Sequence, residues 1–165
     1  SESLNDDFTT TEFSFEQLGC DEKIITVTES RAKGFVDGIF TGLYNEYVNN
    51  YPSLEKLRLV EIMVNPIMKA STNLGSDAKA TVVFRLEVEK HGIAEFKHKS
   101  RSMIYSSFVA ALDAFQFYIN CEKTFHRIKL VVEDATTRNR GDILQDCFSD
   151  LSKLTEVNTY ETTPT

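Results

Sequence analysis

A chain of 165 residues with 41% hydrophobic content is long enough for one domain with a real core, which excludes disorder throughout. A formal net charge of -7 argues against a protein whose affinity comes from neutralising phosphates, because that needs clustered Lys and Arg. Cys20, Cys121 and Cys147 are odd in number, widely spaced and without a CxxC pair, so they read as reduced thiols in a cytoplasmic compartment rather than as a disulfide framework or a structural zinc site.

In chain order, residues 1–11 are polar and acidic and read as a disordered N-terminus, unlike a basic signal peptide or an arginine-rich transit peptide. No run of about 18 apolar residues follows, so no membrane partner is expected. "EFSFEQLG" sets Phe13 and Phe15 on one side, and "EKIITVTES" carries Ile24, Ile25 and Val27, which predicts two strands joined near Gly19 and Cys20. A helix is predicted from Gly34 to Asn49, with Pro52 ending it. Gly38 and Gly42 share one face of this helix, although each glycine costs about 1 kcal/mol relative to alanine there.

"LEKLRLVEIMVNPI" places Leu57 and Leu59 in one alternation and, after a shift of phase, Ile62 and Val64 in another, the pattern of a strand of mixed burial. "STNLGSD" reads as a polar turn. Val82, Phe84, Leu86 and Val88 then alternate with polar neighbours, reverse at Lys90, His91 and Gly92, and return through Ile93 and Phe96, which predicts a hairpin. "SRSMIYSSFVAALDAFQFYIN" offers a capping serine, near Ser102 or Ser106, and a second helix with Phe108, Ala111, Leu112, Phe115, Tyr118 and Ile119 inward.

Residues 25–49 and 96–120 echo each other: equal in length, ending in YVN and YIN, each running strand, polar loop, helix, at an offset of 71, or 72 if Gly38 and Gly42 are set against Ala110 and Ala114. Such a duplication implies a domain over 12–120 made of two strands-plus-helix units, 12–50 and 54–120, packed as one α+β layer pair. An extension over 121–155 follows, with "TFHRIKLVVED" read as a strand, "ATTRNRGD" as a loop, and Ile143, Leu144, Cys147, Phe148, Leu151 and Leu154 at helical spacing. Residues 156–165 read as a disordered tail.

Signatures of catalysis are missing: there is no G-x-S-x-G, no P-loop and no dinucleotide glycine fingerprint. His91, His98 and His126 lack companion carboxylates at ligand spacing, so no metal and no cofactor is expected. The order helix, three strands, helix is similar to double-stranded-RNA-binding modules. Those modules grip phosphates with lysines at the start of the last helix, and "MIYSSFVAALDAF" contains neither Lys nor Arg, so nucleic acid is not an expected partner.

"KGFVDGIFTGL", "LRLVEIMVNPI", "GSDAKATVVFRLEVEKHG" and "SRSMIYSSFVAALDAFQFYIN", taken together, resemble the C-terminal regulatory domain of the 2-isopropylmalate synthase and citramalate synthase family. The shared features are a Gly-x-x-Asp-Gly helix start at Gly34 to Gly38, a strand beginning at Leu57, Asp77 with Ala78 entering a long strand, and a small-residue-rich helix over Ser102 to Ala114. They cover about 11–120. The resemblance implies an α+β fold of two strands-plus-helix units related by a pseudo-twofold, forming a sheet packed against helices, with an extra C-terminal strand and helix in this chain. It implies a homodimer, and feedback inhibition by a branched-chain amino acid, leucine or isoleucine. It also implies a catalytic barrel domain in the same polypeptide, an acetyl-CoA-dependent acyltransferase, with no catalytic site in this stretch.

On that resemblance Gly38 and Gly42 would face Ala110, Ala111 and Ala114 of the second helix, leaving a gap at the helix starts for the effector. Backbone N–H groups around Gly34, Phe35 and Val36 would meet its carboxylate, as helix N-termini meet anions, and Asp37 its ammonium. Leu57, Val60 and Val64 would line its side chain, with Ser102 and Tyr105 closing the other side. Each residue also has a plainer role: Asp37 as a stabiliser of the first helical turn, Leu57, Val60 and Val64 as core, the glycines as packing positions. The alternative for the whole chain is a non-catalytic protein–protein interaction module with no small-molecule effector.

Overall fold

The computed structural model describes residues 2–5, 8–17, 23–67 and 79–160. Each half of the chain is an antiparallel three-stranded meander followed by a helix. In the first, β1 (Glu2–Asn5), β2 (Phe8–Gln17) and β3 (Lys23–Ala32) lead into α1 (Phe35–Tyr47); in the second, β4 (Leu57–Ile67), β5 (Lys79–Val88) and β6 (Gly92–Ser100) lead into α2 (Met103–Thr137). A short 3-10 helix, Pro52–Lys56, joins the halves, with proline at its first turn where no backbone donor is lost. The fold is α+β as expected, with the strands divided between two sheets.

Alternation sets which face is buried. On β2 and β3 the cross-strand pairs Phe13 with Val27 and Phe15 with Ile25 face inward, while Ser14 and Thr26 bond each other on the outer face at 2.9 Å. On β4 the register shifts between Leu59 and Glu61, a β-bulge at Val60. That bulge is the phase change read from the sequence. It lets Leu57 and Leu59 on one side of it, and Ile62 on the other, share the face of Val82, Phe84, Leu86 and Val88. Outside, Arg85 bridges Glu61 at 3.0 Å and Glu95 at 2.7 Å. The β5–β6 hairpin turns as predicted, with Lys90 at φ 69° and Gly92 at φ 87° supplying the left-handed residues.

Helix α1 lies on β2 and β3, α2 lies on β5 and β6, and the helices touch, Phe40 meeting Phe115 at 5.3 Å between ring centroids. One apolar core runs from Ile39 and Leu43 through Leu54 to Phe84, Phe115 and Tyr118.

Three expectations are corrected. Residues 2–5 and 8–11 are not disordered but pair as β1 and the start of β2, Thr11 being fully buried. Residues 124–134 are not a strand, nor does the loop read from 135 begin there: α2 continues unbroken through them to Thr137, for 35 residues in all. Phe125, Ile128, Val132 and Ala135 recur every three or four positions, and that period overrides the local β-preference of "IKLVV". Helix α2 ends in a Schellman turn, Arg140 N–H donating to Ala135 O and Asn139 N–H to Thr136 O with Asn139 at φ 54°, and α3 (Gly141–Val157) folds back onto it. Finally, the stretch read as a tail from 156 begins inside α3, and Asn158 and Tyr160 are buried beyond it. The turns expected near Gly19 and Cys20 and over "STNLGSD" lie outside the described residues.

Candidate functional site

The two glycines of α1 do not face α2. A Cβ on Gly38 would stand 2.7 Å from Thr11 Cβ and 3.2 Å from Ala32 Cβ, and one on Gly42 would stand 2.8 Å from Val27 Cγ1 and 3.2 Å from Phe13 Cζ. Both therefore press α1 onto its own meander, since nothing larger than hydrogen fits between helix and strand. The same positions of α2, fourth and eighth in the helix, hold Ser106 and Ala110, both fully buried. Ser106 Oγ bonds Ser100 Oγ of β6 at 2.7 Å. Helix starts Gly34 and Ser102 stand 68 positions apart, so the structural repeat is displaced by about one helical turn from the offset of 71 read in the sequence.

The other residues expected to bind an effector have visible local roles. Gly34 is the N-cap of α1, Phe35 and Val36 pack against the core, and Asp37 Oδ2 accepts from Lys33 N–H at 2.9 Å, closing the first turn. Ser102 caps α2, its Oγ accepting from Tyr105 N–H at 3.2 Å. Tyr105 is 56% exposed with its ring edge-on to His98. Leu57 is core, whereas Val60 on the bulge is 51% exposed and Val64 42%. Leu57 and Val64 lie seven positions apart on one strand, roughly 20 Å, too far for one branched side chain to touch both.

A different set of residues converges. A cleft of about 260 Å³ opens where the end of β2, the end of α1 and the middle of α2 meet. One stripe of α2, Leu112, Phe115 and Ile119, forms its floor, and Phe15 of β2 adds a fourth apolar wall. Tyr47 and Tyr51 stand beside it with ring centroids 6.3 Å apart, and Phe15 lies 6.4 Å from Tyr47. Burial pushes the Tyr47 phenol above its ordinary range, with Glu46 and Tyr51 adding to the shift, so it stays a protonated donor at neutral pH. Polar groups come, at i, i+4 and i+7 along α2, from Gln116, Asn120 and Lys123, while Glu16 borders the cleft at the end of β2, on the outer face with Ser14. Lys123 Nζ sits 5.3 Å over the Tyr51 ring, a cation–π contact.

Behind this cleft a buried polar cluster fixes the C-terminal segment. Glu122, next to Lys123, is 5% exposed, and its Oε2 accepts from Ser53 Oγ–H at 2.5 Å and Ser53 N–H at 3.2 Å. Asn158 Nδ2 donates to Ser53 O at 3.1 Å. Lys56 Nζ donates to Thr159 O at 2.9 Å, His91 Nδ1 to Glu156 O at 3.0 Å, and Tyr160 stacks on Phe125 at 4.7 Å. His126 Nε2 lies 3.7 Å from Glu122 Oε1. The three histidines thus sit in three separate packing roles, and among the described residues no three His, Cys, Asp or Glu side chains gather as a metal site would need.

Neither the cleft nor the cluster was foreseen in the sequence. Phe15, Tyr47, Tyr51 and Lys123 come from four segments, and only the α2 stripe from Leu112 to Lys123 carries a local signal. Also among the described residues, no helix is long and apolar enough to cross a membrane. Comparison with protein-family models, curated proteins and solved structures yields no match to this chain.

Proposed function

We propose that this chain is a regulatory and dimerisation domain that binds a branched-chain amino acid, leucine or isoleucine, and controls a separate acetyl-CoA-dependent acyltransferase barrel of the same polypeptide, carrying no catalytic residues itself. The observation that carries the reading is the repeated unit: meander then helix, twice, with small residues at the fourth and eighth positions of both helices. Two strands-plus-helix units are what the resemblance to the 2-isopropylmalate and citramalate synthase regulatory domain implies, and the repeat supports that part of it, although the glycines of α1 pack on their own strands rather than on α2. An effector acts here only through different affinities for two quaternary states, so binding and dimer geometry are coupled. Sedimentation of the purified chain, with calorimetry against leucine, isoleucine and valine, tests it. A dimer that takes up one of the three saturably is expected; a monomer without heat from any of them overturns the reading.

A second reading, a protein–protein interaction module, draws support from the extension. Helix α3 has no fully buried residue although its apolar side chains are in register, and Leu130, Val131 and Phe148 are exposed nearby. Binding of a partner with no response to any amino acid favours it.

A further inference from the structure

We propose that two copies of this chain pair along the outer face of α2, antiparallel about a twofold axis at the level between Leu130 and Val131, so that Arg127 of each copy meets Asp134 of the other. The proposal rests on the dimer part of the reading above, to which it gives a surface, and needs no amino-acid effector.

The length of α2 is the first argument. At 1.5 Å per residue its 35 residues span roughly 52 Å, against about 34 Å for the ten-residue strand β5 on which it lies. Its C-terminal part therefore outruns the sheet, with α3 as its companion. There Phe125, Ile128, Val132 and Ala135 are buried or half-buried on one side of the helix. On the other side Leu130 is 66% exposed and Val131 42%. A second copy laid on that side takes both residues of both chains out of water together.

The order of charges is the second argument, and it identifies the occupant. Lys123, Arg127, Leu130, Asp134 and Arg138 recur every three or four positions, one stripe along α2 with Val131 at its edge. The stripe carries bases before its apolar centre and an acid just beyond it. An antiparallel copy reverses that order, so the stripe is its own complement: Leu130 faces Val131, Arg127 faces Asp134, and the twofold repeats each contact. A parallel copy would set Arg127 against Arg127 and Asp134 against Asp134. Among the described residues Arg127 makes no ion pair. Asp134 gives Oδ1 to Arg138 Nε at 2.9 Å, which leaves Oδ2 for Arg127 of the second copy. Lys123 comes opposite Arg138 at the ends of the contact, and each is already engaged within its own copy, Lys123 over the Tyr51 ring and Arg138 with Asp134.

Sedimentation equilibrium of the full chain tests the assignment on wild type, Arg127→Glu, Asp134→Arg and the double variant. Both positions are exposed side chains, so the variants keep the fold, which circular dichroism checks. The expected result is a wild-type dimer weakened about tenfold or more by each single reversal and restored in the double variant, where the pair is remade with its signs exchanged. A dimer indifferent to all three variants overturns this face and leaves the dimer reading standing. Weakening in the single variants without recovery in the double overturns the antiparallel register. A monomeric wild-type chain overturns both the face and the dimer.

Discussion

Thr11 of β2 occupies the space that a side chain on Gly38 of α1 would need, the two Cβ positions coming to 2.7 Å. Gly38→Ala is expected to lose about 1–3 kcal/mol through overpacking, despite the roughly 1 kcal/mol that alanine contributes in helix propensity. Gly42→Ala meets the stiff β-branched Val27 at 2.8 Å and loses stability for the same reason. Urea denaturation checks both. The double variant Thr11→Ala with Gly38→Ala should recover part of the loss, a coupling that a merely local helix effect would not produce.

Among the described residues the Thr11 hydroxyl is itself buried without a hydrogen-bond partner. Thr11→Val keeps the shape and removes the unmet polar group, so stability should hold or rise by about 1 kcal/mol. A clear loss in thermal unfolding would mean the hydroxyl has a partner after all.

Legibility followed the range of the interactions involved. The β4 bulge and the Lys90 turn are readable because each is set by a few neighbouring residues, and so is the presence of a serine cap on α2, though not the choice of Ser102 over Ser106. Helix α1 was also readable, and so was the need for small residues on it, but not the surface they face. Period alone does not say whether Gly38 looks toward Thr11 or toward Ala110. Along 124–134 the β-branched run of "IKLVV" masks a helical period that continues from Phe115 through Phe125. Asn158 and Tyr160 looked like tail because their partners, Ser53 and Phe125, are distant in the chain. The cleft was hidden for the same reason.

Removal of the Glu122 carboxylate should unlatch the C-terminal segment. Glu122→Ala leaves the buried Ser53 N–H and hydroxyl without an acceptor, and Asn158→Ala leaves Ser53 O without a donor, each costing about 1–3 kcal/mol. The two should be less than additive because they share Ser53. Hydrogen exchange of amides 158–160 provides the local readout, with faster exchange expected in both variants.

Asp142, at the start of α3, should titrate at about 2, because the hydrogen-bonded Arg140 guanidinium and then the Ile143 backbone N–H favour its charged form. A depressed native pKa contributes stability that is whole above the ordinary carboxylate value of 3.8 and is lost as pH falls through about 2. Carbon-13 NMR titration of the carboxyl checks the midpoint. Arg140→Gln should return it toward 3.8, and a wild-type midpoint already there contradicts the pairing.

The most direct test of the account is a methyl NMR titration of the wild-type chain with leucine and with isoleucine. The account predicts methyl shifts that saturate with at least one of the two. Methyl spectra unchanged at saturating concentrations of both amino acids would contradict it.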